Sequence, residues 1–298
     1  MWCGNAKSRK PFLRSGFLIG GYSMYSRVYV EITNICNMHC SFCHGHQRPP
    51  RRMHLKEFEH ILDQLTDQTK YIYYHLMGEP LTHPELPLFL QAAAQRGFLS
   101  VITTNGTLLK KHGDALIAAG VHKVSISLHS FEGDDRNAYE CYLSEVATFA
   151  DAASRAGVIV VFRLWNRGCD GGRNDMAVNF LRSRIAGEWS ENTRGIRIRD
   201  RFYLEWGDRF QWPDKDAPVQ GETFFCYGIR DHFGILCDGS VVPCCLDSDG
   251  IMTLGNAFTE NIADILASDR ATAIAKGFAR RTAAEDLCRR CAYAQRFV

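Results

Sequence analysis

Three cysteines fall within eight residues in Cys36-Asn37-Met38-His39-Cys40-Ser41-Phe42-Cys43. Thiolates this close together grip one compact metal centre, and their softness points to zinc or an iron–sulfur cluster rather than to a hard cation. Three ligands leave one position open. A catalytic centre uses such a position for substrate, whereas a structural or electron-transfer centre closes its shell with a fourth protein ligand. His39 and His44 offer that fourth ligand, so a closed zinc site stands beside the open cluster as an alternative.

A second group follows far along the chain: Cys226, Cys244 and the pair in Cys288-Arg-Arg-Cys291. Four thiolates close a shell, for an iron–sulfur cluster or for a structural zinc ribbon. Leu236-Cys-Asp238-Gly239-Ser-Val-Val242 reads as a hairpin, because Asp-Gly between apolar runs favours a tight turn, and its second arm delivers Cys244. Spacing does not separate Cys244 from Cys245 or Cys237 as the ligand. Of twelve cysteines, these seven have ligand-like spacing. With no secretory signal in view, they indicate clusters in a reducing compartment rather than a disulfide framework. Cys3, Cys141, Cys169, Cys237 and Cys245 are left over and are expected as buried or incidental thiols.

The 298 residues are 46% hydrophobic and 23% charged, enough for one large domain or a large and a small one. Lys+Arg 35 against Asp+Glu 33 gives a net charge of +2, which makes no case for a nucleic-acid partner. Lys7, Arg9, Lys10 and Arg14 precede a short apolar run, Phe17-Leu-Ile-Gly-Gly. That run is too short and too glycine-rich for a signal core or a membrane span, so residues 1–25 read as a cytoplasmic arm without membrane attachment.

The elements that must position the cysteines alternate regularly. A strand from Arg27 to Thr33 leads into the first cysteine group. The basic, proline-containing stretch from His46 to Arg52 follows it, then a helix from Leu55 to Leu65 with Phe58, Ile61, Leu62 and Leu65 on one face. Strand Tyr71–Leu76, helix Pro84–Arg96, strand Phe98–Thr103, helix Thr107–Ala119, strand Lys123–His129, helix Asn137–Ala156 and strand Val158–Leu164 continue the pattern. A helix from Arg173 to Arg184 and a sixth strand within Arg194–Trp206 complete it. Such alternation implies βαβ units and a largely parallel sheet, with ligands beyond the carboxyl ends of the strands. The notable polar residues gather there: the cysteine group after the first strand, Gly78-Glu79-Pro80 after the second, Thr104-Asn105-Gly106 after the third, Ser127 to Ser130 at the fourth and Arg163 near the end of the fifth. Singly, each is an ordinary turn, loop or surface residue; together they surround one mouth.

With three residues between the first and second cysteines, and two including an aromatic before the third, the stretch resembles the signature of the radical S-adenosylmethionine (SAM) enzymes. The resemblance covers roughly residues 26–200. It implies an α/β fold, a partial (βα)6 TIM-like barrel, in residues 26–206. It also implies a [4Fe-4S] cluster on Cys36, Cys40 and Cys43 whose remaining iron is chelated by SAM. In that family Phe42 would lie against the adenine, and Gly78 and Glu79 would hold the SAM amino group, with Met77 replacing the usual first glycine. Asn105 and Ser127 would lie near the methionine or ribose, and Arg163 would pair with the carboxylate, since a guanidinium binds both oxygens at once.

Gly207 to Gly221 reads as a linker. Residues 222–298, with Cys226, Asp238-Gly239 separated by four residues from Cys244, Leu254-Gly255-Asn256 and Cys288/Cys291, resemble the SPASM extension. Seven residues follow Cys291 here, so the shortened form is implied: a small twitch domain of hairpin plus helices with one auxiliary [4Fe-4S] cluster. The implied activity is an oxidoreductase that cleaves SAM reductively to a 5′-deoxyadenosyl radical and oxidises a small-molecule alcohol by hydrogen abstraction, with the auxiliary cluster as electron acceptor. A maturase of ribosomally made peptides is the alternative within the family, and a non-enzymatic electron carrier or zinc-stabilised binding protein the alternative outside it. A flavodoxin- or ferredoxin-type donor is the expected partner. Trp165, Tyr203, Trp206 and Trp212 are expected as packing residues, with pocket lining as the alternative.

Overall fold

β-forming runs and amphipathic helices take turns from Arg27 to Trp206 in the computed structural model, which describes residues 24–297. The basic arm read from the sequence, Cys3 included, lies almost wholly outside the described residues. In chain order the elements are β1 (Arg27–Val30), α1 (Leu55–Leu65), β2 (Tyr71–Tyr73), α2 (Leu86–Gln95), β3 (Leu99–Thr104), α3 (Leu109–Ala118), β4 (Lys123–Ser127), α4 (Arg136–Arg155), β5 (Ile159–Leu164) and α5 (Arg173–Arg184). A hairpin of β6 (Ser190–Asn192) and β7 (Gly195–Arg199) precedes β8 (Phe202–Trp206). The C-terminal part adds β9 (His232–Ile235), β10 (Ser240–Val242), β11 (Gly255–Asn256), α6 (Ile262–Ala267), α7 (Asp269–Ala279) and α8 (Asp286–Arg289).

All eleven strands form one sheet in the order β11-β10-β9-β1-β2-β3-β4-β5-β8-β7-β6. Six of them, β1 to β5 and β8, run parallel to one another, as a partial barrel requires. The expected sixth strand is β8. It is reached through β7, with which it pairs antiparallel after a turn in which Arg201 takes φ 57°. The fourth strand stops at Ser127 and continues as a 3-10 turn, Leu128–Ser130.

Period-two alternation sorts the strand residues. Val124 and Ile126 of β4, Val160, Phe162 and Leu164 of β5, and Phe202 and Leu204 of β8 are fully buried in the core shared with the helices. The alternate positions, Lys123, Ser125 and Ser127, then Val161 and Arg163, then Tyr203 and Glu205, share the opposite, inward face. Helix α1 shows the complementary pattern, with Phe58, Ile61, Leu62 and Leu65 buried as their spacing predicts. Each such side chain contributes about 1.5–3 kcal/mol of burial. Asp135 caps the longest helix, α4, by accepting from the Asn137 and Ala138 N–H groups.

The C-terminal segment has a small core of its own, built on Phe224, Ile229, Ile274 and Phe278, against which Cys226, Cys288 and Cys291 pack. Its hairpin is not separate from the barrel, because β9 pairs parallel with β1 from Arg27↔His232 to Val30↔Ile235. Gly239 makes the hairpin turn at φ 87°, a conformation L side chains resist. Among the described residues no helix is long and apolar enough to cross a membrane.

Candidate functional site

The first cysteine group sits on a loop pinned at its base. Asn34 Nδ2 donates to Pro49 O at 2.8 Å, and Arg51 N–H donates to Asn34 Oδ1 at 2.7 Å. His46 Nε2 lies 2.9 Å from Asn34 O. The stretch His46–Arg52 therefore returns the chain to the sheet. Arg48 Nη2 reaches the two carboxylate oxygens of fully buried Glu31 at 2.7 and 2.8 Å. Glu31 also accepts from Met77 N–H at 2.9 Å and Cys237 N–H at 3.2 Å. One carboxylate thus ties together β1, the second strand end and the C-terminal hairpin.

Successive strand ends hold the cysteine loop itself. After β2, Glu79 N–H donates to Ile35 O at 2.9 Å. After β3, Asn105 Nδ2 donates to Asn37 Oδ1 at 3.0 Å. After β4, the Cys40 thiol lies 3.6 Å from Ser130 O, and Glu132 accepts from the Ser41 N–H and hydroxyl at 2.6 and 2.5 Å. Within the loop, Cys43 N–H donates to Cys40 O at 3.0 Å, and Cys36 Sγ accepts from Met38 N–H at 3.4 Å. Burial raises Cys36, and burial with the nearby Glu132 carboxylate pushes Cys40 up to about 11. The neighbouring sulfurs add to both shifts, Cys43 for Cys36 and Cys43 with Cys36 for Cys40, so a soft cation that replaces their protons fits this loop.

Phe42 faces His129 at 4.9 Å between ring centroids, and its carbonyl accepts from Trp212 Nε1 at 3.2 Å. Gly78 takes φ 74°, and a Cβ there would stand 2.3 Å from Thr33 O, so the second strand end crosses the first at backbone contact. Glu79 is buried, and its two oxygens accept from Leu81 N–H at 3.0 Å and Asn105 N–H at 2.7 Å. Burial nevertheless pushes its carboxyl up to about 7. Ser127 is buried at the end of β4. Arg163 lies opposite Ser127 and Glu205 in the sheet register, 3.6 Å over the Trp165 ring, and its Nε is buried without a partner.

The second group closes around one cavity lined by Cys226, Cys244, Cys288 and Cys291 together with Phe224, Met252 and Phe278. Gly228 N–H and Leu246 N–H each donate to a cysteine sulfur, Cys226 and Cys244, at 3.4 Å. Burial pushes Cys226 up to about 11 and raises Cys288 and Cys291 as well. Four thiols around one largely apolar space fit a fully ligated cluster. Cys237 lies apart, beside Arg48 and Glu31. Cys245 takes a different neighbourhood: its sulfur, the Cys244 sulfur and a His232 ring nitrogen lie within 4.8 Å of one another. Among the described residues no disulfide forms.

Residues 30–166 match the model of the radical SAM superfamily, and residues 226–292 match that of an iron–sulfur cluster-binding domain, SPASM. The chain belongs to the radical SAM superfamily. Its two domains imply SAM and two iron–sulfur clusters as cofactors. The GTP 3′,8-cyclase of Chlorobaculum tepidum is 33% identical over 109 residues, 35% of this chain and 33% of that protein. The AdoMet-dependent heme synthase of Methanosarcina barkeri is 33% identical over 102 residues, 33% of this chain and 29% of that one. The matched stretch thus spans a third or less of those curated relatives. The fold of this radical SAM chain resembles that of BtrN in complex with AdoMet and 2-DOIA, with TM-score 0.61 and 20% identity over 91% of this chain and 94% of that one. Streptococcus suis SuiB bound to S-adenosylmethionine superposes with TM-score 0.56 and 19% identity over 83% and 66% of the two chains.

Several residues around the site escaped sequence reasoning. Glu31 and Arg48 were hidden because a buried ion pair has no periodic signature. Glu132 lies far in sequence from the loop it holds, and Trp212, expected as a packing or pocket-lining residue, also donates to the Phe42 carbonyl. Glu205 and Lys123 do carry a signal, since both are charged residues on the inward face of otherwise apolar strands.

Proposed function

We propose that the protein is a radical SAM oxidoreductase of a small-molecule alcohol, with SAM and one cluster at the Cys36/Cys40/Cys43 loop and an auxiliary cluster at Cys226/Cys244/Cys288/Cys291. When bound, these groups supply the hydrogen-abstracting 5′-deoxyadenosyl radical and a sink for the surplus electron; the hard chemistry is theirs. The chain's own residues bind, orient and exclude water. Gly78 brings the second strand end against the cysteine loop, and Glu79 offers a buried carboxylate to an ammonium. Asn105 links the third strand end to Asn37 of the loop, and Ser127 stands at the fourth. Arg163, with an unpartnered Nε, offers a guanidinium to the SAM carboxylate. Phe42, beside His129, offers a ring face to the adenine.

The observation that carries the oxidoreductase reading is the contrast in closure. Three thiols stand on a loop at the barrel mouth, while four line one apolar cavity with no position left for substrate. A closed centre suits electron transfer. The test is anaerobic reconstitution with iron and sulfide, reduction by a flavodoxin- or ferredoxin-type donor, and titration with SAM. Formation of 5′-deoxyadenosine and methionine is the expected result, and a reconstituted, reduced protein that leaves SAM intact would sink the reading.

A further inference from the structure

The inward face of the barrel carries charge that the cofactor residues do not use. A cavity of about 330 Å³ is lined by Lys123, Asn192, Arg194, Tyr203 and Glu205 among others. Small-molecule sites have roughly 300–1,000 Å³. Lys123 opens β4 on the face it shares with Ser125 and Ser127. Arg194 comes from the turn between β6 and β7, where Asn192 Oδ1 accepts from the Arg194 and Gly195 N–H groups at 2.8 and 3.0 Å. Arg163 stands opposite Glu205 in the β5–β8 register.

Other inward cations of this fold are paired: Arg27 has Asp231 at 3.1 Å and Arg48 has Glu31 at 2.7 Å. At the cavity this pairing stops. Among the described residues Lys123, Arg163 and Arg194 make no ion pair within 4.0 Å, and Glu205 is the one carboxylate lining the cavity. Burial lowers Lys123 and takes Arg163 down to about 10 even though the Glu205 carboxylate opposes both shifts, which is the cost of holding several cations around one carboxylate in a low dielectric. An entering anion relieves that cost.

We propose that the substrate carries an acidic group, a carboxylate or a phosphate, and that Lys123 and Arg194 bind it in this cavity. Tyr203 and Glu205 then face its hydroxyl groups, and Arg163 remains for the SAM carboxylate. Calling the ligand the substrate rests on the radical SAM reading; the anion site rests on the cavity and its charges alone.

The test uses the reconstituted holoenzyme with SAM present, titrated at low salt with citrate, with inorganic pyrophosphate and with uncharged myo-inositol, and followed by calorimetry. Saturable binding of an anion but not of inositol is expected, with citrate and pyrophosphate telling a carboxylate site from a phosphate site. Lys123→Met and Arg194→Gln should each weaken it by about tenfold or more, the double variant should abolish it, and Lys123→Arg should keep most of it. Arg194 lies in an exposed turn, so its variant keeps the test valid if the β4 variant misfolds. No saturable anion binding, equal binding of inositol, or unchanged affinity in the double variant overturns the proposal. Wild-type protein that binds anions but leaves SAM uncleaved supports the anion site and overturns the radical reading; cleavage without anion binding does the reverse.

Discussion

The two cysteine groups solve opposite problems. The first lies on a loop whose Cys36 and Cys43 are exposed, and neighbouring strand ends hold it mainly by polar contacts to its backbone and side chains. The second lies in a small apolar core, where Phe224 and Phe278 pack beside the sulfurs. A loop held by polar contacts keeps its metal face open to a ligand, whereas an apolar wrap excludes water and ligand alike and favours electron exchange over binding. The difference predicts that damage to the first group removes chemistry and damage to the second removes coupling and local stability.

The largest effect should come from changing Cys36, Cys40 and Cys43 together to alanine. Reconstituted wild type should hold about eight irons as two four-iron clusters. The triple variant should lose roughly half of that and all SAM cleavage, read by iron assay and by 5′-deoxyadenosine chromatography. Zinc in the second group would break the comparison at once. Next in size is Cys288→Ala with Cys291→Ala, which should still form 5′-deoxyadenosine but with little oxidised product. Because cluster binding is folding energy for a small domain, circular dichroism must first show a folded protein. A folded double variant with normal product yield would leave the second group structural.

How far the sequence foretells these regions differs as sharply as their chemistry. Helices α1 and α5 begin and end where expected: the amphipathic spacing of α1 is written locally, and α5 opens directly after Gly171-Gly172. The pairing of β9 with β1 is not local: over two hundred residues separate Arg27 from His232, so no pattern within either strand announces it. The β6–β7 hairpin was missed because Ser190–Asn192 is short and wholly exposed, with no alternation to read. Cys237, Cys244 and Cys245 looked equivalent by spacing. They differ only because Cys237 meets Arg48 while Cys244 lines the cavity with Cys226, Cys288 and Cys291, a distinction made by distant partners. Around the first group the motif residues were legible, while the pair Glu31 and Arg48 that anchors their loop was not.

That pair supplies the third prediction. Glu31→Ala leaves the Arg48 guanidinium and the Met77 and Cys237 N–H groups facing an empty space, and breaking a buried pair costs about 3–5 kcal/mol. Chemical denaturation should show that loss, larger than for any exposed ion pair such as Arg136–Glu140, which should cost under about 1 kcal/mol. Glycines sharpen the comparison further. Gly78→Ala should cost about 1–3 kcal/mol, since φ 74° and the Thr33 carbonyl both oppose a Cβ. Gly228→Ala in the second region meets Pro243 O only at 3.1 Å and should cost under about 1 kcal/mol. Equal losses would mean that the first region is no more tightly crossed than the second.

The last prediction concerns Glu79 alone and is read in binding rather than in stability. Burial holds its carboxyl up at about 7 despite two backbone donors, so near neutral pH it is only partly ionised. The folded state therefore binds this proton more tightly than the unfolded chain does. Its contribution to stability is present below the ordinary carboxyl range and is lost as pH rises through about 7. An ammonium beside Glu79 reverses the preference, because it favours the carboxylate. SAM affinity in the reconstituted protein should then fall by about tenfold from pH 8 to pH 6, and binding near pH 7 should release a proton to the buffer. Calorimetry in buffers of different ionisation enthalpy reads that release directly. Glu79→Gln, which keeps the oxygen acceptor but not the charge, should weaken SAM binding by roughly 1.5–3 kcal/mol and flatten the pH dependence. In the second region burial raises Asp247 as well, although its oxygens accept from Ile251 and Met252 N–H groups at 2.9 and 2.8 Å; it lines the second cavity and not the first cysteine loop, so its titration should leave SAM affinity unchanged. A SAM affinity independent of pH between 6 and 8, in wild type and variant alike, would remove Glu79 from the ammonium and leave it as the brace between Leu81 and Asn105.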